Sequence, residues 1–314
     1  MMSAPDLTGT QFDFETLAKS VVILRTTIPD DALTAPVLGT ERSGHGVVID
    51  RGLVLTIGYL VTEAQTVWIV DHNSHAIPGY VLAYDQETGF GLVQALQKID
   101  LPIAPLGLSA GLQVSDTVIV AGAGGKDQII SAEVVAKREF AGHWEYLLEE
   151  SIFTSPAHPN WGGAGLFDDN GTLCGIGSIA LQTVDQSGEV ESANMFVPID
   201  LLRPILEELK TYGRQNKPPR PWLGWFVQEN QSTLVVGGVY DDGPAAQAGL
   251  NAGDIVMEIN EQTVSGLADM LRTVWSLGEA GVEVRVTYLR NKETHVATVK
   301  SIDRNALLKS HSIH

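Results

Sequence analysis

The stretch that decides the fold is GVVIDRGLVLT at residues 46–56, two short apolar runs separated by Asp50-Arg51-Gly52. Runs of this length, rich in β-branched residues and ended by Gly, Asp, Asn or Pro, predict strands rather than helices. The same pattern recurs from residue 16 to 106 and again from about 112 to 198. Two consecutive clusters of short strands predict two packed antiparallel barrels.

A change of period marks the end of the strand-rich part. From Ile199 to Tyr212, leucine and isoleucine recur at helical spacing, which predicts an amphipathic helix with Pro204 in its first turn. A basic, proline-rich segment without apolar periodicity follows and is predicted to be a linker. The predicted division is an N-terminal segment (1–15), a double barrel (16–212), a linker (213–221), a compact C-terminal domain (222–303) and a tail (304–314).

Composition excludes several classes of partner and site. The formal net charge of −18 argues against nucleic acid or an anionic membrane as the main partner, because phosphate binding needs clustered Lys and Arg. The single cysteine, Cys174, excludes an internal disulfide, and its apolar surroundings in sequence predict a buried structural thiol. No Cys/His spacing predicts a metal site, and the glycines at 122–126 lack the spacing of a phosphate loop, so no cofactor is expected.

The expected location follows from the absence of targeting signals. The first residues carry no basic region followed by an apolar core of signal-peptide length. No stretch approaches the roughly 20 apolar residues needed to span a bilayer. These observations predict a cytoplasmic protein, or a periplasmic one if a leader has been removed.

Two C-terminal motifs carry a resemblance to a known family. Residues 221–225 read PWLGW and residues 243–256 read GPAAQAGLNAGDIV. They resemble the carboxylate-binding loop and the signature of the PDZ domain that ends HtrA-type (Deg-type) trypsin-like serine proteases. The resemblance extends over residues 16–303 and implies a mainly β fold, a chymotrypsin/trypsin-like double β-barrel followed by an α/β PDZ domain.

The PDZ resemblance implies a peptide-binding site at the start of that domain. Successive backbone N–H groups in such a loop hold a terminal carboxylate, and the next strand adds the peptide as an extra strand. The residues expected to take part are Arg220, Trp222, Leu223, Gly224 and Trp225. Arg220 either assists the carboxylate or is a solvated linker charge. We expect Trp222 at the groove rim and Trp225 in packing.

The protease resemblance implies that all three catalytic positions are substituted. Tyr59 stands where the family carries its histidine, Gly89 where it carries its aspartate, and Trp161 where it carries its serine. A tyrosine with a pKa near ~10 is a poor general base at neutral pH. Gly89 has no side chain that could orient a base, and the indole N–H of Trp161 cannot attack a carbonyl. We therefore expect no catalytic residues, and a non-catalytic homologue that binds peptides or protein C-termini as a scaffold or regulator.

Alternatives to this hypothesis remain open. A relocated pair such as Ser155 and His158, or the nearby Ser43 and His45, would give an active serine endopeptidase with a rearranged site, because a triad is defined by geometry. A holdase-like chaperone is a further alternative.

The expected partners are peptides or protein C-termini. HtrA-type barrels commonly assemble through aromatic N-terminal segments, so Phe12 and Phe14 either support a homotrimer, or a hetero-oligomer with an active paralogue, or pack locally.

Overall fold

Strands dominate the regular structure, as the apolar runs predict. The computed structural model describes residues 12–184, 188, 190–231 and 233–309, so most of the N-terminal segment lies outside the described residues. The chain divides into two compact units. The first comprises Met1–Glu139, Glu149–Gln215 and Lys309–His314, and the second comprises Phe140–Leu148 and Asn216–Leu308.

The first barrel of the first unit closes in the order β1-β2-β3-β6-β5-β4. Residues 46–56 form the end of β2 and all but the last residue of β3, and Val47 pairs with Leu55 across the Arg51-Gly52 turn. The strands are β1 (Val21–Thr27), β2 (Glu41–Asp50), β3 (Leu53–Ile57), β4 (Thr66–Val70), β5 (Ala76–Tyr84) and β6 (Phe90–Ala95). Every side chain of β3 is buried, which agrees with its unbroken apolar run.

The second barrel closes in the order β10-β11-β12-β9-β8-β7. Its strands are β7 (Thr117–Ala121), β8 (Ile129–Gly142), β9 (Tyr146–Ser155), β10 (Gly165–Phe167), β11 (Leu173–Val184) and β12 (Val190–Pro198). Cys174 is fully buried in its core, as predicted, and burial raises the pKa of this thiol to about 11. The two predicted barrels are therefore confirmed.

Helices are short in the first unit: α1 (Phe14–Ser20), α2 (Ala35–Leu38) and α3 (Leu206–Tyr212). The predicted helix from Ile199 is shorter than expected, with a 3-10 turn at Ile199–Leu201 before α3. Pro204 explains the difference, because it has no N–H to donate and disfavours helical geometry in the residue before it.

The aromatic residues of the N-terminal segment pack locally. Phe14 is buried, the Phe12 and Phe14 rings lie 4.6 Å apart, and Phe12 lies against Gly171.

The second unit is a sheet with strand order β13-β14-β15-β17-β18, and β16 pairs with β15. Its elements are β13 (Trp225–Asn230), β14 (Thr233–Val239), α4 (Pro244–Gln247), β15 (Ile255–Ile259), β16 (Gln262–Thr263), α5 (Leu267–Ser276), β17 (Glu283–Arg290) and β18 (Glu293–Lys300). In this unit α5 is the longest helix, and β17 and β18 form an antiparallel pair at the end of the sheet.

Two polar contacts fix this unit. Glu229, on β13, accepts a hydrogen bond of 2.8 Å from the N–H of Leu267 and so ties the strand to the start of α5. Asp254 is buried and forms a bidentate ion pair with Arg290, at 2.6 and 2.7 Å.

The second unit also includes a segment that the predicted division assigned to the double barrel. Residues Phe140–Leu148 join β8 to β9, yet they group with the second unit. Leu147 explains this, because its side chain is buried in the same core cluster as Trp225 and Val227. Among the described residues, no helix has the length and apolar character needed to cross a membrane.

Candidate functional site

The structure brings together Tyr59, Gly89 and Trp161, the three residues that the resemblance places at the catalytic positions, in the first unit. Tyr59 lies on the 3-10 turn that follows β3, and the Gly58 N–H donates a hydrogen bond of 2.6 Å to the carbonyl of Gly89. The Tyr59 hydroxyl donates to the Ser178 carbonyl at 2.9 Å and accepts a hydrogen bond from the Trp161 side chain. The residues at the histidine and serine positions are thus bonded to each other.

This bonded pair has little capacity for proton transfer. Burial raises the pKa of Tyr59 well above its usual value, so the hydroxyl keeps its proton throughout the physiological range. Trp161 contributes a donor and no nucleophilic atom. Gly89 contributes only its backbone, so nothing at that position orients a base.

The turn around Gly162 and Gly163 keeps its framework. The His45 N–H donates to the Gly162 carbonyl at 2.8 Å, and the Gly163 N–H donates to the Gly177 carbonyl at 2.8 Å. Gly163 has φ +77°, and a Cβ on it would lie 1.9 Å from the His45 carbonyl oxygen. Glycine at position 163 is therefore required by backbone packing, whatever the chemistry of residue 161.

One substitution escaped the sequence analysis although its signal was visible there. In trypsin-like enzymes the oxyanion hole uses the backbone N–H of the nucleophile and that of the residue two positions earlier. The residue two positions before Trp161 is Pro159, which has no N–H. The usual oxyanion hole thus lacks one of its two donors.

The relocated pair of Ser155 and His158 is not assembled. The Ser155 hydroxyl donates to Glu191 at 2.8 Å. His158 accepts the Asn160 N–H at Nδ1 (3.1 Å) and bonds the Gln128 carbonyl through Nε2 (3.1 Å), so both ring nitrogens are engaged elsewhere. No hydrogen bond joins this serine to this histidine among the described residues.

The other serine and histidine line a cavity beside the substituted positions. The cavity, of about 670 Å³, is lined by Ser43, His45, Tyr59 and Trp161, among others. His45 accepts the Ala123 N–H at Nδ1 (3.0 Å) and is buried, which lowers its pKa to about 4. A histidine with so low a pKa is a weak base, and within the described chain it forms no hydrogen bond to Ser43.

The predicted carboxylate-binding loop of the second unit has its carbonyls bonded within the domain. The Leu223 carbonyl accepts from the Ala245 N–H at 2.8 Å, and the Gly224 carbonyl accepts from the Tyr240 N–H at 2.9 Å. Gly224 has φ +73°, a left-handed conformation that glycine adopts without strain.

Both tryptophans of the loop are buried, whereas Trp222 was expected at the groove rim. Trp225 is buried in the core, as expected. Trp222 is not an exposed rim residue: it is 4% exposed, its ring lies 5.1 Å from that of Tyr240, and its backbone pairs with Ile302. Removing so large an apolar ring from water is favourable, which explains the buried position of Trp222.

Arg220 is exposed and lies over the ring of Trp275, 4.3 Å from its centroid. This cation–π contact with α5 describes the residue better than a solvated linker charge does. Among the described residues, no group of three or more His, Cys, Asp or Glu side chains is placed to hold a metal ion.

Comparison with known protein families agrees with both units. A trypsin-like peptidase domain model matches residues 44–176, and a PDZ domain model matches residues 221–301. Probable periplasmic serine endoproteases described as DegP-like are similar to this chain. The one from Pseudomonas fluorescens is 26% identical over 84% of this chain and 58% of its own length. The one from Halomonas elongata is 24% identical over 82% and 55%.

Solved structures share the fold. An HtrA-type protease, AlgW, with a tripeptide superposes with a TM-score of 0.53 at 21% identity, over 96% of this chain and 99% of that one. A serine endoprotease from Yersinia pestis gives 0.53 at 19% identity, over 93% and 98%. The chain spans little more than half the length of the curated relatives it matches. The chain carries a trypsin-like peptidase domain followed by a PDZ domain, and it is similar to the DegP-like serine endoproteases and shares the fold of the HtrA-type proteases.

Proposed function

We propose that this protein binds peptides or protein C-termini through its PDZ domain as a scaffold or regulator and does not hydrolyse them by serine chemistry. The observation that carries the proposal is that Tyr59 and Trp161, the residues expected at the histidine and serine positions, line the same cavity and interact there. A bonded pair of tyrosine and tryptophan supplies neither a nucleophile nor a base at neutral pH. Peptide binding is supported by the PDZ match and by AlgW, a protein of the same fold whose structure is known with a tripeptide.

Serine endopeptidase activity is the second candidate. The names of the relatives favour it, since they are probable serine endoproteases. In this chain it would require a serine outside the family position, and Ser43 with His45 is the pair that lines the cavity beside Trp161. The holdase alternative draws no support from the described residues beyond the PDZ domain itself.

The location and assembly of the protein are also proposals. The relatives are named as periplasmic, which supports a periplasmic location rather than the expected cytoplasmic one. Peptides or C-termini are the proposed partners, and a homotrimer or a mixed oligomer with an active paralogue is the proposed assembly. Phe14 is buried within the single chain, which supports local packing of that residue.

The decisive experiment combines fluorophosphonate labelling with casein hydrolysis on the purified protein. The proposal expects no labelling and no cleavage, either by the unmodified chain or by Trp161→Ser, because the base and one oxyanion donor are still missing in that variant. Ser43→Ala and Ser155→Ala are the matched controls. Labelling that disappears in one of these variants would establish the endopeptidase and identify its nucleophile.

A further inference from the structure

The segment Phe140–Leu148 packs against the start of the PDZ domain. Leu147 is buried in the cluster that includes Leu223 and Trp225 of the loop and Leu271 of α5. The ring of His143 lies 6.5 Å from that of Phe226, on β13. The segment therefore lies beside the loop and strand that a peptide ligand would contact.

Glu145 brings a carboxylate to this loop. Its carboxylate accepts a hydrogen bond from the backbone N–H of Leu223 and another from the side chain of Trp225. Leu223 belongs to the WLGW motif whose backbone N–H groups are expected to hold a peptide's terminal carboxylate. An internal side chain thus makes the type of bond that the loop offers to an external ligand.

Glu145 lies in the turn between β8 and β9 and has a strained backbone. Its φ of +61° is a left-handed conformation that non-glycine residues adopt only at an energetic cost. Arg304 restrains the neighbouring residue, since its Nη1 donates to the Trp144 carbonyl at 3.4 Å. The same guanidinium lies 5.9 Å from the ring centroid of Trp222.

The contact between Glu145 and the loop leaves buried polar atoms without hydrogen bonds. Oε1 of Glu145 is shielded from solvent and has no hydrogen-bond partner among the described residues, and the same is true of Nε of Arg304. Burial raises the pKa of Glu145 to about 8, so the side chain is largely uncharged at neutral pH. An ionised peptide C-terminus, whose main chain can also pair with β13, makes stronger bonds to the same loop.

We propose that Phe140–Leu148 is a built-in competitor for the PDZ peptide site, in which Glu145 occupies the carboxylate-binding loop until a C-terminal peptide displaces it. The proposal rests on the proposed peptide-binding function and adds its regulation. The ligands it implies have a free terminal carboxylate and an apolar last residue, because the cluster beside the loop is apolar. Their apparent affinity is reduced by the fraction of molecules in which Glu145 is bound.

The test compares the full chain with Glu145→Gly, which removes the carboxylate and adopts a left-handed φ without strain. The probe is a pool of fluorescein-labelled random decapeptides ending in Val, Leu or Phe, with a free C-terminal carboxylate. An amidated pool is the ligand control. Glu133→Gln, an exposed glutamate on β8, is the protein control. Fluorescence anisotropy measures affinity, and amide hydrogen exchange measures protection of residues 223–224 without ligand.

The proposal expects Glu145→Gly to bind the carboxylate pool about tenfold more tightly than the unmodified chain, with Glu133→Gln unchanged. It also expects faster exchange at residues 223–224 in Glu145→Gly. Glu145→Asn, which tolerates the same φ but is one methylene shorter, gives a second variant with the same expected direction. Equal or weaker binding by both variants overturns the proposal that Glu145 competes for the site, and it leaves the proposal of peptide binding in place. Equal binding of the amidated pool, or no binding by any form, overturns both proposals.

Discussion

The turn around Trp161 in the first unit and the PDZ loop in the second both contain a glycine with left-handed φ, and they differ in the side chains beside it. Around Trp161 both glycines are hydrogen-bonded, and Tyr59 and Trp161 stand where the resemblance places a catalytic histidine and serine. At the PDZ loop the WLGW motif is present, and the carboxylate of Glu145 bonds the N–H of Leu223.

The difference shows that framework and chemistry are determined by separate residues. Glycines with left-handed φ and buried apolar residues hold each loop in place. A few side chains then decide what a loop of fixed conformation does: it cleaves a peptide, binds a peptide, or binds a side chain of the same protein. In our two proposals, Tyr59 and Trp161 decide this at the first site, and Glu145 decides it at the second.

The largest expected effect tests whether the framework at the first site depends on Gly163. Gly163→Ala combines a left-handed φ with a Cβ 1.9 Å from the His45 carbonyl oxygen. We expect it to lower the free energy of unfolding by more than about 3 kcal/mol, measured by urea denaturation. Gly125→Ala is the control, since its φ of +85° is similar but no atom lies within 4 Å of the added Cβ. Its expected cost is on the order of 1–3 kcal/mol, because its ψ of −159° lies in a region that is essentially restricted to glycine. Equal costs would remove the argument that packing retains Gly163.

The corresponding test of the PDZ framework is Asp254→Asn. This substitution leaves Arg290 without its buried bidentate partner, so we expect the melting temperature of the second unit to fall by about 5 °C. The control is Glu261→Gln, whose ion pair with Arg285 is exposed at 74% and 49% of the two side chains. Exposed pairs contribute little, so that variant should melt within about 1 °C of the unmodified protein. A shift of the same size in both variants would contradict the structural role given to Asp254.

Glu145 makes the second region sensitive to pH. Its pKa rises from an ordinary value of 4.5 to about 8 because of burial, so the folded protein keeps a proton that the unfolded chain releases. Its stabilising contribution is complete below pH 4.5 and is lost as pH rises through about 8. The charge of Arg304 opposes the shift of the Glu145 pKa, and burial lowers the pKa of the nearby His143.

We therefore expect the melting temperature of the unmodified protein to fall by a few °C, relative to Glu145→Gln, between pH 6 and pH 8.5. Parallel pH profiles for the two proteins would show that Glu145 is not the responsible group.

The smallest expected effect concerns the bonded pair at the first site. Tyr59→Phe removes a hydroxyl that donates to Ser178 and accepts from Trp161, so we expect a loss of about 1 kcal/mol in unfolding free energy. Tyr212→Phe, at a side chain that is 60% exposed, is the neutral control. Neither variant should change casein hydrolysis. A fall in hydrolysis with Tyr59→Phe would make Tyr59 a catalytic residue and end the contrast between the two regions.

Short-range sequence patterns predicted much of the architecture. The apolar runs predicted the strands of both barrels, and the motifs at 221–225 and 243–256 predicted the PDZ domain. The helix from Ile199 was too long because its apolar spacing outweighed Pro204 in the prediction. Trp222 was placed at the rim because a motif gives the position of a side chain along the chain and not the direction in which it packs.

The sequence by itself determined the two domain types and the identity of the residues at the catalytic positions, because these depend on local periodicity and on which functional groups are present. It also contained Pro159, whose missing N–H needs no coordinates to establish. Only the tertiary structure decided that Tyr59 bonds Trp161, that Ser155 and His158 have separate partners, and that Glu145 reaches Leu223. Apart from the bond between His158 and Asn160, these are contacts between residues far apart in the chain. No spacing rule in the sequence specifies them until the strands have paired and the cores have closed.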